Sequence, residues 1–265
     1  MSVAVPGVQR RAHRARYSID VVGKVFDILQ VFIDQGRPAL SFTEILERVT
    51  LTKNAVFRLL VSLVESGYLR KRTDDGKYVL SLKCVELGRA ARLSNDIRRI
   101  ALPYMRELWH QFEDTANLAV LDDGQICYLE VLESPHRFKL VASPGDRDPA
   151  HCTALGKAML AYLPPGEVKA IMDLRGMQKM TSNTITTRAE LEAELVRVRQ
   201  QGFAINEGEM VEGSRCVAAP LLNAKGHVLA AISISGPAYR IGKERVAEIS
   251  AALRRSATAI AHQLD

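Results

Sequence analysis

The stretch SFTEILERVTLTKNAVFRLLVSLVESGYL, residues 41–69, has the pattern of two helices joined by a short turn. Ser41 and Glu44 stand at the spacing of a capping box, in which each side chain accepts a hydrogen bond from the other residue's backbone N–H. Thr52 is a suitable N-cap for the second helix, and Gly67 is a suitable end. Along that helix the predicted buried residues are Val56, Leu59, Leu60 and Leu63. The stretch therefore predicts a helix-turn-helix.

The segments on either side extend this pattern into a small domain. Upstream, apolar spacing predicts an amphipathic helix over residues 19–33. Its predicted buried stripe consists of Ile19, Val22, Phe26, Leu29 and Ile33. Downstream, GYLRKRTDDGKYVLSL (67–82) gives two strand-like runs around Asp75-Gly76, which is a strong hairpin signal. Three helices and a basic hairpin predict a winged helix-turn-helix over residues 18–83.

This outline brings the N-terminal end of its third helix to the major groove of DNA. The candidate DNA contacts are Ser41, Thr52, Lys53, Asn54, Phe57 and Arg58 from the helix-turn-helix, and Arg70, Arg72 and Lys77 from the hairpin, with Lys71 beside them. Phe57 cannot bond a base, so we expect it to touch a thymine methyl group or to pack under the hairpin. The alternative is a protein-interaction domain of similar outline whose charges are only solvated.

The distribution of charge favours DNA binding. Residues 1–95 carry 16 Lys and Arg against 9 Asp and Glu, a net charge of +7, whereas residues 96–265 carry 20 against 21, a net charge of −1. An excess confined to the first third is typical of a polyanion-binding domain joined to a neutral partner. Residues 1–17 are predicted to form a basic arm, and no apolar run is long enough to cross a membrane. The four cysteines contain no C-x-x-C pair, which fits a reducing cytoplasm and favours neither a disulfide framework nor a zinc ribbon.

The remaining two thirds predict a second domain, residues 101–265, of the α/β class. A linker helix is predicted at residues 84–100, and it overlaps a largely helical stretch over residues 87–112 that is interrupted near Asn95 and Pro103. Strands are predicted at NLAVLD (117–122), QICYLEVL (125–132), FKLVAS (138–143), 215–223 and 227–235, and helices at 153–163, 189–201 and the C-terminus. The terminal helix should turn Val246, Ile249, Leu253 and Ile260 inward. The pattern indicates a sheet with helices packed on its faces, so the whole chain is α+β.

Within this domain, PAHCTALGKAML (149–160) admits four kinds of site. A phosphate loop aligned on Gly156-Lys157 would put His151 where a glycine belongs and Ala158 where a hydroxyl belongs, so this reading fails. A metal site needs further ligands, although Cys216 could approach in the fold. A cysteine enzyme needs a base that faces its thiol, and adjacent His151 and Cys152 point apart. A binding site is favoured, because a helix that starts near Thr153 offers free N–H groups to a carboxylate.

Several motifs together resemble the IclR family of bacterial transcription regulators: KVFDILQVF, residues 41–69, KYVLSLKCVELG, AHCTALGKAMLA, NTIT, GFAINEGEMVEGSRCVAAPL and AAISISGP, in that order. The resemblance implies a winged helix-turn-helix, a linker helix, a GAF-like α/β effector-binding domain, and dimers or pairs of dimers. By motif it places effector contacts at Ala154, Leu155, Asn206, Ser214, Cys216, Ser233 and Ser235, beside His151 and Thr153. Thr50 and Thr52 replace a glycine and a proline frequent in the family, and Asn206 replaces an often acidic residue.

The sequence thus predicts a cytoplasmic transcription regulator that is not an enzyme and needs no metal or cofactor. The expected partners are a double-stranded operator with an inverted repeat, a small effector that is a carboxylate, and a second copy of the chain in a homodimer or tetramer. One alternative is a cysteine-dependent hydrolase or isomerase with a basic N-terminal appendage. Another is a nucleoid-type DNA binder, which would need no polar pocket.

Overall fold

The computed structural model describes residues 19–93 and 96–264. The predicted basic arm, residues 1–17, lies outside the described residues, as do residues 18, 94, 95 and 265. The chain divides into two compact units, one within residues 19–93 and the other within residues 96–264, and each is described by itself. Among the helices of the described ranges, none combines the length and the apolar character that a bilayer crossing requires.

The first unit is the predicted winged helix-turn-helix. Its elements are α1 (Asp20–Gln35), α2 (Phe42–Leu46), α3 (Lys53–Glu65), β1 (Leu69–Lys71), β2 (Tyr78–Leu80) and α4 (Leu82–Leu93). The capping box of Ser41 and Glu44 forms in full, and the Thr52 hydroxyl accepts the N–H of Ala55 at 3.3 Å. Strands β1 and β2 pair as an antiparallel hairpin, with Leu69 opposite Leu80. Local capping and turn chemistry was therefore sufficient to predict these elements.

The predicted buried face of α1 is wrong. Ile19, Val22, Phe26 and Ile33 are exposed by 71%, 48%, 62% and 65%, and of the predicted stripe only Leu29 packs against the core. The helix instead buries Ile28, Val31 and Phe32 against Val56, Leu60 and Leu63 of α3. Since α1 carries two apolar stripes, periodicity predicts the helix without deciding which stripe packs.

The second unit contains five helices and six strands within residues 96–264. They are α5 (Asp96–Phe112), β3 (Thr115–Asp122), β4 (Gln125–Leu132), β5 (Arg147–Pro149), α6 (Ala154–Leu160), α7 (Pro165–Arg175), α8 (Arg188–Gln201), β6 (Ala204–Glu207), β7 (Ser214–Leu222), β8 (Val228–Pro237) and α9 (Lys243–His262). The strands form one sheet in the order β5-β4-β3-β8-β7-β6, and every neighbouring pair is antiparallel. Helices α5 and α9 pack on one face, and α6, α7 and α8 pack on the other.

Some predicted elements of this unit differ from the structure. Residues 138–143, predicted as a strand, are irregular, and the edge strand is β5 instead. Phe138 and Val141 are both 66% exposed, so the apolar residues of this segment do not alternate into a core. Helix α5 runs through Pro103 without interruption, and Pro103 is itself exposed, where water can satisfy the carbonyl that proline leaves unbonded. Helix α7 and strand β6 were not predicted.

Helix α6 lies unusually close to the preceding chain at Gly156. A Cβ atom added there would stand 2.1 Å from the backbone O of Ala150 and 2.4 Å from its Cα, so only glycine fits. The short 3-10 turn Ala150–Cys152 can therefore fold directly against the first turn of α6. This close approach fixes the position of the α6 N-terminus over the sheet.

We expect Gly156→Ala to lower the free energy of unfolding by about 1 to 3 kcal/mol, because the added methyl meets backbone atoms that cannot rotate away. Gly166→Ala is the matched control, since that glycine lies in α7 with open space around its Cβ position and should tolerate or gain from alanine. Denaturant unfolding of both variants measures the difference. Equal stabilities would show that the close approach does not constrain the fold.

Candidate functional site

A cavity of about 110 Å³ opens between the sheet and the start of α6. Its lining includes eight of the nine predicted effector residues: Thr153, Ala154, Leu155, Asn206, Ser214, Cys216, Ser233 and Ser235. It also includes residues that sequence reasoning missed: Thr115, Asn117, Tyr128, Leu140, Val141, Ala142, Asp148, Met210 and Val211. The segment wrongly predicted as a strand thus supplies part of the wall.

The polar residues of the sheet converge because strand side chains alternate between faces. Asn117 on β3 stands opposite Ser233 on β8, and Cys216 on β7 stands opposite Ser235. Residues two apart along a strand share a face, so Ser233 and Ser235 face the cavity together. Further along the same strands, Ala119, Ala218 and Ala231 pack under α6. The face is therefore small and apolar under the helix and polar where the cavity opens.

Asn117 orders the hydroxyls of this wall. Its Nδ2 donates to Ser233 Oγ at 3.2 Å and to Ser235 Oγ at 3.1 Å. Each hydroxyl therefore acts as an acceptor toward Asn117 and keeps its own proton for another partner. Burial raises the pKa of the Cys216 thiol to about 11, despite the opposing hydrogen bond with Ser235. At neutral pH this wall is uncharged and offers hydrogen-bond donors.

The cavity lining also carries a carboxylate. Asp148 lies on β5, and its Oδ2 accepts the hydroxyl of Tyr128 at 2.9 Å. Burial raises the pKa of Asp148 above its ordinary value, and burial together with the Asp148 charge raises the pKa of Tyr128. No Lys, Arg or His stands among the described residues that line the cavity. The lining therefore combines neutral hydrogen-bond donors with one acidic side chain.

Asn206 and Thr153 hold the walls in place. Asn206 Nδ2 donates to the Cys152 carbonyl at 2.6 Å, and its Oδ1 accepts the Glu209 N–H at 2.8 Å. The Thr153 hydroxyl caps α6 by accepting the Gly156 N–H at 3.1 Å. Both polar groups of Asn206 are thus occupied by backbone, which gives this residue a scaffolding role in addition to its place in the lining.

Beneath α6 lies a buried charge cluster. Lys157 is 1% exposed, and its Nζ pairs with Glu209 and lies 3.2 Å from Glu194 Oε1. Burial raises the pKa of Glu209, and the charge of Lys157 opposes that rise. The hydroxyl of Thr184 also donates to the Glu209 carbonyl at 2.7 Å. These bonds fasten the loop that carries Met210 to the helix that carries Leu155.

The side chains of His151 and Cys152 contact different partners. His151 is not among the lining residues, and its Nε2 lies 3.1 Å from the Gln178 carbonyl O. Cys152 Sγ lies 3.7 Å from Met210 Sδ, and burial raises the pKa of this thiol to about 12. Thiols with pKa values far above neutrality are poor nucleophiles. No group of three metal-ligating side chains occurs within residues 19–93 and 96–264.

In the first unit, the predicted DNA contacts on α3 form an exposed face: Lys53, Asn54, Phe57 and Arg58. Phe57 is 56% exposed, so it does not pack under the hairpin. Arg70 and Lys71 are exposed on β1, whereas Arg72 is paired with Asp74 and lies 3.5 Å from Asp75. Lys77 Nζ lies 4.0 Å from Asp75 Oδ2. The positive charge of the hairpin is therefore partly neutralised at its tip and uncompensated along β1.

Ser41 and Thr52, the other two predicted contacts, serve as N-caps of α2 and α3. Their hydroxyls accept backbone N–H groups, from Glu44 at 3.2 Å and from Ala55 at 3.3 Å. A capping hydroxyl still has its own proton, which it can donate to a phosphate oxygen. Both residues therefore have a structural role that does not exclude a DNA contact.

Comparison with known proteins gives a consistent relationship. The family model described as bacterial transcriptional regulator IclR C-terminal matches residues 90–262, and the IclR helix-turn-helix domain matches residues 21–73. The chain is 35% identical over 247 residues to the HTH-type transcriptional regulator KdgR of Escherichia coli K12, which covers 93% of each protein. The crystal structure of Thermotoga maritima IclR aligns at 28% identity and a TM-score of 0.71, over 93% of this chain and 99% of that one. An IclR homologue from Microbacterium hydrocarbonoxydans, crystallised with 4-hydroxybenzoate, aligns at 25% identity and a TM-score of 0.79, over 92% and 99%.

We expect Asp148→Asn to raise the melting temperature at about pH 8 and to raise it less at about pH 4. Because burial raises the pKa of Asp148 in the folded chain, folding favours the protonated carboxyl, and the ionised form lowers the free energy of unfolding. The amide removes this cost and can still accept the Tyr128 hydroxyl. Thermal unfolding across this pH range measures the effect; a variant that is less stable at high pH would contradict it.

Proposed function

The chain belongs to the IclR family of bacterial transcription regulators, and we propose that it binds its operator through α3 and the β1-β2 hairpin and responds to a small organic acid in the cavity of the second unit. The observation that carries this proposal is that the two units expose different kinds of chemical group. An exposed basic face lies in one unit, and a neutral donor wall lies in the other. A nucleoid-type DNA binder would have no use for such a cavity.

The operator contacts follow from the exposed groups of the first unit. Arg58 and Lys53 extend from α3 with no acidic partner among the described residues, so their charges are available to phosphates and to guanine edges. Asn54 can bond adenine, and the exposed Phe57 can contact a thymine methyl group. Arg70 and Lys71 on β1 are better placed for backbone contact than Arg72, whose guanidinium already pairs with Asp74.

The effector is an organic acid whose carboxylate accepts hydrogen bonds from uncharged donors. The hydroxyls of Ser233 and Ser235 and the N–H groups at the start of α6 face a cavity without a basic side chain in its described lining. A carboxylate bonded by several neutral donors is stable in such a site. The 4-hydroxybenzoate bound by the Microbacterium homologue belongs to the same chemical class. In the present chain the Asp148 carboxylate disfavours a second negative charge on the ligand close to it.

The chain binds this acid without converting it. Catalysis at Cys152 or Cys216 would need a thiolate, and burial raises the pKa values of these thiols to about 12 and about 11. Binding instead alters DNA affinity through the helical connection between the units, and such coupling is commonly about 1 to 3 kcal/mol, or about 5- to 150-fold. The site of action is the cytoplasm, where bacterial DNA lies.

A second copy of the chain completes the regulator, as a homodimer or a tetramer. Along α1, the exposed residues Ile19, Val22, Phe26 and Ile33 recur at helical spacing and form one unpaired apolar stripe. A stripe of this kind supports self-association, because packing against the same stripe of a second chain removes its apolar side chains from water. A two-fold dimer presents two α3 helices and therefore requires an operator with an inverted repeat.

We expect Arg58→Ala to weaken operator binding by about 1 to 3 kcal/mol, because a guanidinium contact is lost from the groove. Lys77→Ala should weaken binding to all duplexes by a smaller amount and flatten the salt dependence. Lys225→Ala, at an exposed turn of the second unit, is the control. Salt-titrated gel shifts measure all three; an Arg58 variant with unchanged affinity would refute the placement of α3.

We expect Phe26→Glu to lower affinity for the complete operator by about tenfold or more while leaving binding to a single half-site unchanged. The charge cannot be buried in the apolar stripe, so the dimer weakens but α3 keeps its contacts. Val196→Glu, at an equally exposed site on α8, is the control. Sedimentation and footprinting on DNA around the gene test this; a wild-type footprint without a repeat would contradict it.

A further inference from the structure

The acidic wall of the cavity has an oxygen that the protein leaves available. Asp148 Oδ2 receives the Tyr128 hydroxyl, and Asp148 Oδ1 has no hydrogen-bond donor among the described residues. This oxygen is not among the fully buried atoms, so a ligand in the cavity can reach it.

The serines of the lining have the complementary polarity. Asn117 donates to both of them, so the hydroxyl proton of Ser233 remains for another acceptor, while Ser235 also bonds the Cys216 thiol. Asn117, Ser233 and Ser235 are 4%, 1% and 7% exposed, so the arrangement is internal and not a solvated surface. A ligand that satisfies both the serines and Asp148 needs an acceptor group and a donor group.

We propose that Asp148 selects hydroxylated organic acids: the ligand carboxylate bonds the Ser233 and Ser235 side, and a ligand hydroxyl donates to Asp148 Oδ1. This inference rests on the proposed function, which it narrows from acids in general to hydroxy acids. Tyr128 is a positioning residue, because its bond to Oδ2 directs the remaining oxygen of Asp148 toward the ligand.

A hydroxyl satisfies this wall better than an amine does. A hydroxyl has one proton to donate, and the open oxygen of Asp148 accepts one bond. An ammonium group has three N–H donors, and the side chains of Leu140 and Val141 in the same lining offer no acceptor. The unsatisfied N–H groups of a buried ammonium would reduce its affinity.

The test is calorimetry on the full chain with five probes: benzoate, 4-hydroxybenzoate, butyrate, 4-hydroxybutyrate and 4-aminobutyrate. We expect the wild type to bind at least one hydroxy acid about tenfold or more tightly than its unsubstituted partner. Asp148→Asn should reduce that preference severalfold, because hydrogen bonds to a charged acceptor are stronger, and should leave the unsubstituted acid nearly unaffected. Asp173→Asn, an identical change at an exposed residue of α7 that does not line the cavity, should behave like the wild type.

The outcomes separate the two proposals. Equal binding of substituted and unsubstituted acids, unchanged in Asp148→Asn, overturns the role of Asp148 and leaves the organic-acid effector standing. If the wild type prefers 4-aminobutyrate and Asp148→Asn abolishes that preference, Asp148 recognises an amine and not a hydroxyl. That result also overturns the inference. Failure of the wild type to bind any of the five acids, while it still binds its operator, overturns the organic-acid effector itself.

Discussion

The cavity depends on how closely α6 lies on the sheet. Gly156 allows the first turn of α6 to touch the backbone of Ala150, and alanines beneath the helix let the strands approach it. Further along the same strand face, beyond the N-terminus of α6, the alanines are replaced by serine, asparagine and cysteine. No helix of the described residues covers the sheet there, and that space is the cavity. The buried pair of Lys157 and Glu209 then ties the adjoining loop to the same helix. The contact between Gly156 and Ala150 thus accounts both for the close packing of α6 on the sheet and for the open cavity beside it.

The two units use charge in opposite ways. In the first unit basic groups are exposed and numerous, which suits a polyanion whose attraction acts at long range. In the second unit the cavity relies on neutral donors and on one carboxylate whose ionised form opposes folding. Stability would favour a neutral residue at position 148, so the carboxylate there is the kind of compromise that proteins make at binding sites. If Asp148 selects the ligand as we propose, binding selectivity and the free energy of unfolding are in conflict at this residue.

The parts of the structure that were predictable from sequence are those that local chemistry determines. The capping box of Ser41 and Glu44, the Thr52 cap and the Asp75-Gly76 turn act over a few residues. The motif resemblance located seven lining residues of the cavity, and the predicted helix start located Thr153. The packing face of α1 was mispredicted, because the choice between two apolar stripes depends on α3. Asn117 lies on a strand distant in sequence from α6, and Asp148 lies on the short edge strand β5, which was not predicted, so no local pattern joined them to the site. Asn117 left one signal, as a polar residue inside the otherwise buried run NLAVLD.

A ligand in the cavity can influence the rest of the second unit because its walls are firmly joined to α5. Strand β3 begins at Thr115, a lining residue, and the preceding Asp114 is fully buried. Arg240, which follows β8, bonds Asp114 Oδ1 at 2.7 Å. Arg245 lies 3.5 Å from Asp114 Oδ2 and donates a hydrogen bond to the last carbonyl of α5, at Phe112. One buried carboxylate and two guanidinium groups therefore connect the ends of β3, β8 and α5. A ligand that displaces the start of β3 also acts on the end of α5, because separating buried charges from their partners is costly.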